Sequence, residues 1–134
     1  MSLFHLAFPV RDLETTRWFY AEVLGARAGR ATDRWADFDL GGHQISAHRA
    51  EVPEETARSE VDGQPVPLRH FGLILPWAEW EALADRIRAH GVAFVLEPTV
   101  RYAGQPAEQG TFFVKDPSGN ALEFKAFRDP AAIF

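Results

Sequence analysis

The sequence predicts an α+β fold. Two copies of a strand–helix–strand–strand–strand (βαβββ) module would form a curved, cup-shaped mixed sheet with the helices on its outer face. Three observations carry this reading. Each half opens on a strand-like segment that begins with a histidine, His5-Leu-Ala-Phe-Pro-Val and His70-Phe-Gly-Leu-Ile-Leu. Each continues into a stretch of helical period that stops at a glycine, Gly25 or Gly91. In each, a glycine turn later feeds a strand, Gly42-His-Gln-Ile-Ser46 and Gly119-Asn-Ala-Leu-Glu123.

Taken in order, Leu3 to Val10 alternates weakly and is rich in bulky apolar residues, a half-buried strand with His5, Ala7 and Pro9 on one face. Asp12 caps a helix carrying Leu13, Tyr20, Val23 and Leu24. A short strand over about 26–32 precedes a clearer one from Arg34 to Leu40. Gly41-Gly42 then turns the chain into His43–Arg49. On that last strand Gln44, Ser46 and His48 share a face, and Ile45 and Ala47 take the other. Glu51 to Pro67 is acidic, polar and proline-bearing and reads as a surface connection. The second copy follows: a strand over Leu68–Leu75, an amphipathic helix over Trp77–His90, and a short strand over Val92–Leu96 ended by Pro98. Thr99 to Gln109 reads as a loop at the site. A hairpin closes the module, Thr111–Lys115 and Ala121–Phe127 around Asp116-Pro-Ser-Gly119. Trp18, Trp77 and Trp80 read as helix-packing residues. The 134 residues thus form one domain, with module 1 at about 1–50, a linker at about 51–67 and module 2 at about 68–128.

Bulk composition narrows the function. The chain is 46% hydrophobic and 25% charged with net charge −5, and its acidic and basic residues are interleaved, so nucleic acid is not an expected partner. It has no cysteine, which removes disulfides, zinc fingers and thiol nucleophiles. No segment is long and apolar enough to span a bilayer, and no signal-peptide pattern opens the chain, so a cytoplasmic protein is expected. A duplicated unit places equivalent residues about one pseudo-axis, which lets His5, His70 and Glu123 converge. Two imidazoles and one carboxylate with open positions are what a catalytic divalent metal needs.

These motifs resemble the vicinal oxygen chelate superfamily, which includes glyoxalase I, extradiol dioxygenases, fosfomycin-resistance enzymes and bleomycin-resistance proteins. The likeness is carried by His5, Asp12-Leu13, Phe19-Tyr20, Val23-Leu24-Gly25 and His70-Phe71-Gly72, and above all by Asp116-Pro-Ser-Gly-Asn120 leading to Leu122-Glu123-Phe124. It implies a metal held at four positions, here His5, Ser46, His70 and Glu123. Glyoxalase I usually has a fourth protein ligand where Ser46 stands. A serine hydroxyl is a poor ligand for a softer metal, which leaves the two-histidine, one-carboxylate set of the extradiol dioxygenases. Those enzymes usually carry an acid/base histidine where Gln44 stands and a tyrosine near Phe113. Glutamine hydrogen-bonds but shuttles no proton near neutral pH, and His48 on the same strand face is the substitute.

The resemblance therefore implies His5, His70 and Glu123 as metal ligands, with Gln44 and His48 as catalytic residues. Ser46, Arg101, Tyr102 and Phe113 would bind substrate. The ion would be Fe2+, with Mn2+, Ni2+ and Zn2+ as alternatives. The substrate would be a small, oxygen-bearing organic molecule, undergoing extradiol-type ring cleavage or isomerase/lyase chemistry in a homodimer. The alternative is a non-catalytic, ligand-sequestering protein of the bleomycin-resistance type.

Overall fold

The computed structural model describes residues 1–52, 58–61 and 64–134. The chain divides into two compact units, Met1–Glu54 with Asp116–Asn120, and Glu55–Lys115 with Ala121–Phe134. Each contains a four-stranded mixed sheet of the same topology, so the fold class is the expected α+β.

In the first unit the sheet order is β1-β4-β3-β2, from β1 (His5–Val10), β2 (Arg27–Ala31), β3 (Trp35–Leu40) and β4 (His43–Arg49). β1 runs parallel to β4, and the other pairs are antiparallel. Period-two alternation in β3 buries Ala36, Phe38 and Leu40 and leaves Trp35, Asp37 and Asp39 half-buried. The buried face meets the helical segment. There α1 (Leu13–Arg17), capped by the Asp12 carboxylate accepting from Thr15 N, passes into a π-helical stretch over Trp18–Val23. Sequence periodicity does not separate this wider coil from an α-helix, because Phe19, Tyr20 and Val23 face the sheet either way. Tyr20 lies between the rings of Phe8 and Phe38, with centroids 5.5 and 5.3 Å away. Trp18, read as a packing residue, is 43% exposed.

The Asp116–Asn120 turn completes this unit. Buried Asp116 accepts from the Tyr20 hydroxyl at 2.9 Å, from the Asn120 side chain, and from the backbone N–H groups of Ser118 and Asn120. Ser118 Oγ accepts from Arg11 N, and Asn120 Nδ2 donates to Pro9 O. The most family-specific motif in the chain is therefore a structural clamp. Burial pushes the Asp116 carboxyl above its ordinary value, against the pull of its hydrogen bonds. Burial first, and the Asp116 charge second, push the Tyr20 phenol well up.

In the second unit the order is β7-β10-β9-β8, from β7 (Phe71–Ile74), β8 (Phe94–Arg101), β9 (Gln109–Lys115) and β10 (Ala121–Phe127). α2 (Trp77–Ala89) buries Trp80, Ala84 and Ile87, and Trp80 Nε1 donates to Phe124 O at 2.9 Å. A Cβ on Gly110 would come 2.7 Å from the Trp80 ring, so glycine is required beneath the indole. Two readings change here. β8 continues through Pro98, because it is an edge strand with register shifts between Phe94 and Thr99, where a missing N–H costs no ladder bond. The stretch read as a surface connection carries a hairpin, β5 (Arg58–Val61) with β6 (Gln64–Pro67), and Val66 is buried with Leu96 and Phe113. Residues 53–57 and 62–63 of that stretch lie outside the described residues.

Candidate metal centre

His70 immediately precedes β7, and Glu123 stands in β10 in register with Gly72 on one side and Phe113 on the other. Gly72 permits this. A Cβ there would overlap the Glu123 carbonyl, so β7 approaches β10 closely only because the side chain is absent. His70 Nδ1 lies 2.8 Å from Pro67 O, which is solely an acceptor, so Nδ1 carries the proton. Nε2 lies 3.3 Å from Glu123 Oε1, an ion-pair distance when the imidazole carries a second proton. The other carboxylate oxygen, Oε2, accepts from Thr111 Oγ1 at 2.5 Å. Phe113 meets the imidazole edge-on at 4.9 Å and is fully buried, so it steers His70 and offers no open surface to a substrate.

A second proton on the imidazole, or a cation shared by the two groups, would each stabilise the carboxylate facing Nε2 at this distance. Two donors each about 2.1 Å from a shared ion lie about 3.0 Å apart at a right angle and about 3.4 Å apart at the tetrahedral angle. The 3.3 Å separation falls within that span. The backbone carbonyl on His70 and the hydroxyl on Glu123 are the outer partners that orient ligands at metal sites. The pair's separation is thus the one that two ligands of a single divalent ion would have.

The first unit assembles a second polar group. His5 Nδ1 lies 2.7 Å from Gln44 Oε1, and Gln44 Nε2 donates to Asp37 Oδ2 at 3.3 Å. Ser46 Oγ donates to Asp37 Oδ1 at 2.6 Å and lies 3.1 Å from His48 Nε2. Register explains the grouping, since β4 pairs His5 with Gln44 across β1, and Ser46 with Asp37 across β3. Gln44, Ser46 and His48 thus share one face as alternation predicts, with Ser46 buried and the other two exposed.

His5 belongs to this unit and the His70–Glu123 pair to the other. Neither unit by itself gathers three His, Asp or Glu side chains in a metal-holding group among the described residues. Arg101 and Tyr102 pair with one another where β8 ends, with Arg101 Nη2 3.2 Å from the Tyr102 hydroxyl. Tyr102 has φ +55°, a conformation rare for an aromatic residue, and is 46% exposed. The loop after it is pinned by Glu108, which accepts from Gly104 N at 2.7 Å and from Arg128 Nε at 2.8 Å. Those contacts hold its carboxyl below the ordinary value. Asp37 and Thr111 were not among the expected site residues. The signal for Asp37 was a charge on the strand face opposite Phe38, and for Thr111 a hydroxyl two positions before Phe113.

Residues 2–124 match the family described as Glyoxalase/Bleomycin resistance protein/Dioxygenase superfamily. Among curated proteins, the chain is 30% identical over 122 residues to a catechol-2,3-dioxygenase of Bacillus subtilis, covering 89% of this chain but only 39% of that protein's length. It is 27% identical over 123 residues to virulence protein STM3117 of Salmonella typhimurium, covering 92% of this chain and 82% of that one. Among solved structures, a glyoxalase/bleomycin resistance protein/dioxygenase from Alicyclobacillus acidocaldarius superposes with TM-score 0.81 at 31% identity, covering 99% and 96% of the two chains. The fosfomycin resistance protein FosX of Listeria monocytogenes shares the fold, with TM-score 0.75 at 18% identity over 99% and 98%.

Proposed function

The chain belongs to the Glyoxalase/Bleomycin resistance protein/Dioxygenase superfamily, and on that footing we propose that it is a metal-dependent enzyme acting on a small, oxygen-bearing organic substrate. The observation that carries this is the His70–Glu123 pair, 3.3 Å apart. His70 is fixed by Pro67 O and Glu123 by Thr111. The family's ligand pattern would make His5 the third ligand, and a proton on Nδ1, 2.7 Å from Gln44 Oε1, would leave its Nε2 as the donor atom. A divalent ion, if held by these three, would supply Lewis-acid activation of a substrate oxygen and, if ferrous, redox chemistry with dioxygen.

This chain's own side chains do the rest. His48 donates from Nε2 to Ser46, which leaves Nδ1 as a proton acceptor on the face shared with Gln44. Gln44 hydrogen-bonds without exchanging protons, so acid–base duty falls to His48. Arg101 offers a cation to an anionic substrate group, and Tyr102 an exposed aromatic surface beside it. The likeness to a catechol-2,3-dioxygenase favours ferrous iron and ring cleavage, while isomerase or lyase chemistry would run on Mn2+, Ni2+ or Zn2+. We further propose a homodimer.

The test is metal analysis of protein purified without chelators, followed by oxygen-electrode assays on catechol-type substrates after loading Fe2+. Stoichiometric metal, lost in Glu123→Gln, supports the reading. Small-molecule binding that is indifferent to chelator, with no turnover on any metal, would replace it with a sequestering protein. Light scattering should give twice the 15.0 kDa chain mass.

A further inference from the structure

The polar group of the first unit has a hub. As a carboxylate Asp37 has no proton to give, so both of its oxygens only accept. One takes the Ser46 hydroxyl proton at 2.6 Å, the other a Gln44 amide proton at 3.3 Å. Each acceptance propagates one step further. With its NH2 turned to Asp37, Gln44 presents Oε1 to His5, so His5 must carry its proton on Nδ1. With its proton committed to Asp37, Ser46 can only accept from His48, so His48 must carry its proton on Nε2. The two imidazoles are therefore set in opposite tautomers by one carboxylate.

We propose that Asp37 is a positioning residue that fixes the tautomers of His5 and His48 together. His5 keeps Nε2 available as a donor atom, and His48 keeps Nδ1 available as a proton acceptor. The tautomer assignment stands on the geometry alone. Its consequence for ligand binding at His5 rests on the proposed metal site.

Asp37→Asn separates these ideas. An asparagine offers one acceptor and one donor where the carboxylate offers two acceptors, so one arm must reverse. If its NH2 faces Gln44, that amide flips and His5 is forced to carry its proton on Nε2. If its NH2 faces Ser46, the hydroxyl turns to His48, which must carry its proton on Nδ1. The Ser46 arm is the shorter and is buried, so the Gln44 arm is the one expected to give way.

The readout is two-bond 15N–1H correlation of the imidazoles in metal-free protein at about pH 8.5, well above the ordinary imidazole value. Three other histidines are internal controls. His43 accepts from Phe4 N at Nδ1 and should be protonated on Nε2, while His70 and His90 face carbonyls and should be protonated on Nδ1. In the native sequence His5 should read Nδ1–H and His48 Nε2–H. In Asp37→Asn, His5 should read Nε2–H with the three controls unmoved. Calorimetric titration with Mn2+ alone should then show affinity about 10- to 100-fold weaker, the usual effect of losing an outer partner.

Both imidazoles keeping their native tautomers in a folded Asp37→Asn protein would overturn the inference, whatever the metal data. If native protein binds no divalent ion but His5 still switches in Asp37→Asn, the metal-site reading falls and the inference stands. Should Asp37→Asn fail to fold, Gln44→Ala decides. It cuts the His5 arm alone, so His5 should move from Nδ1–H toward the Nε2–H form that an unconstrained histidine prefers, while His48 stays Nε2–H. A His5 that remains Nδ1–H would overturn the proposal.

Discussion

Removing one hydroxyl, in Tyr20→Phe, tests the clamp between the π-helical segment and the Asp116 turn. The ring stays and its stacking on Phe8 and Phe38 is kept, so the change isolates one hydrogen bond of 2.9 Å to a buried carboxylate. Bonds to charged groups are worth about 1.5–3 kcal/mol, and loss of the donor leaves Asp116 with three of its four. With an unfolding entropy of about 2.1 cal/mol/K per residue, that corresponds to a fall in Tm of about 5–10 °C for a chain of this length. The cost should also depend on pH in a definite direction. Burial raises the folded-state value of Asp116, so its favourable contribution is complete below its unfolded value and is lost as pH rises through the folded value. Tyr20 donates to the ionised form. The penalty of Tyr20→Phe is therefore full at neutral pH and shrinks on acidification, toward the about 0.5–1.5 kcal/mol of a neutral bond. Urea unfolding at pH 7 and pH 4 with matched m values reads both. A neutral-pH loss under about 0.5 kcal/mol, or one that grows on acidification, would refute the reasoning.

Three further outcomes follow from single contacts. Gly110→Ala should cost about 1–3 kcal/mol in urea unfolding, because the new methyl displaces the Trp80 indole and strains its bond to Phe124 O. Thr111→Val keeps the shape but releases Glu123 Oε2, and should weaken Mn2+ binding about 10-fold or more by calorimetry; unchanged affinity would remove Thr111 from the site. Glu108 has a lowered folded value, first through the Gly104 N–H and then through Arg128, so its stabilisation of the loop is present above the unfolded value near 4.5 and lost as pH falls through the folded one. Exchange protection of the Gly104 amide should drop over that window, and Arg128→Ala should move the drop to higher pH.

Much of this was legible in the residues because period two is a strong constraint. Placing Gln44, Ser46 and His48 on one face needs only the alternation of Ile45 and Ala47 between them, and the structure returns that face intact. The glycine turns at Gly42 and Gly119 have the positive φ that the turn reading requires. What escaped depends on register. Asp37 lies opposite Ser46 only because β3 and β4 pair with that offset, which a strand read in isolation does not disclose. The same holds for Thr111, one diagonal step from Glu123. The strand through Pro98 escaped for another reason. Proline forbids a ladder bond, but the sequence does not say that this strand is at the edge of its sheet, where one side of the backbone needs none. Phe113 was legible as an aromatic near the site, yet its contact with His70 and its complete burial come from packing.

The clamp at Asp116 also sets a timetable for synthesis. Tyr20 is made early, and the carboxylate that receives its proton is 96 positions later in the chain. At about 5–20 residues per second, a nascent first unit waits about 5–20 s with that phenol unmatched. Through that interval its sheet and helical segment exist without the turn that completes them. Pairings so distant in sequence close slowly. A ribosome stalled before the codon for Asp116 would therefore hold a first unit that a protease can still cut and a chaperone can still grip.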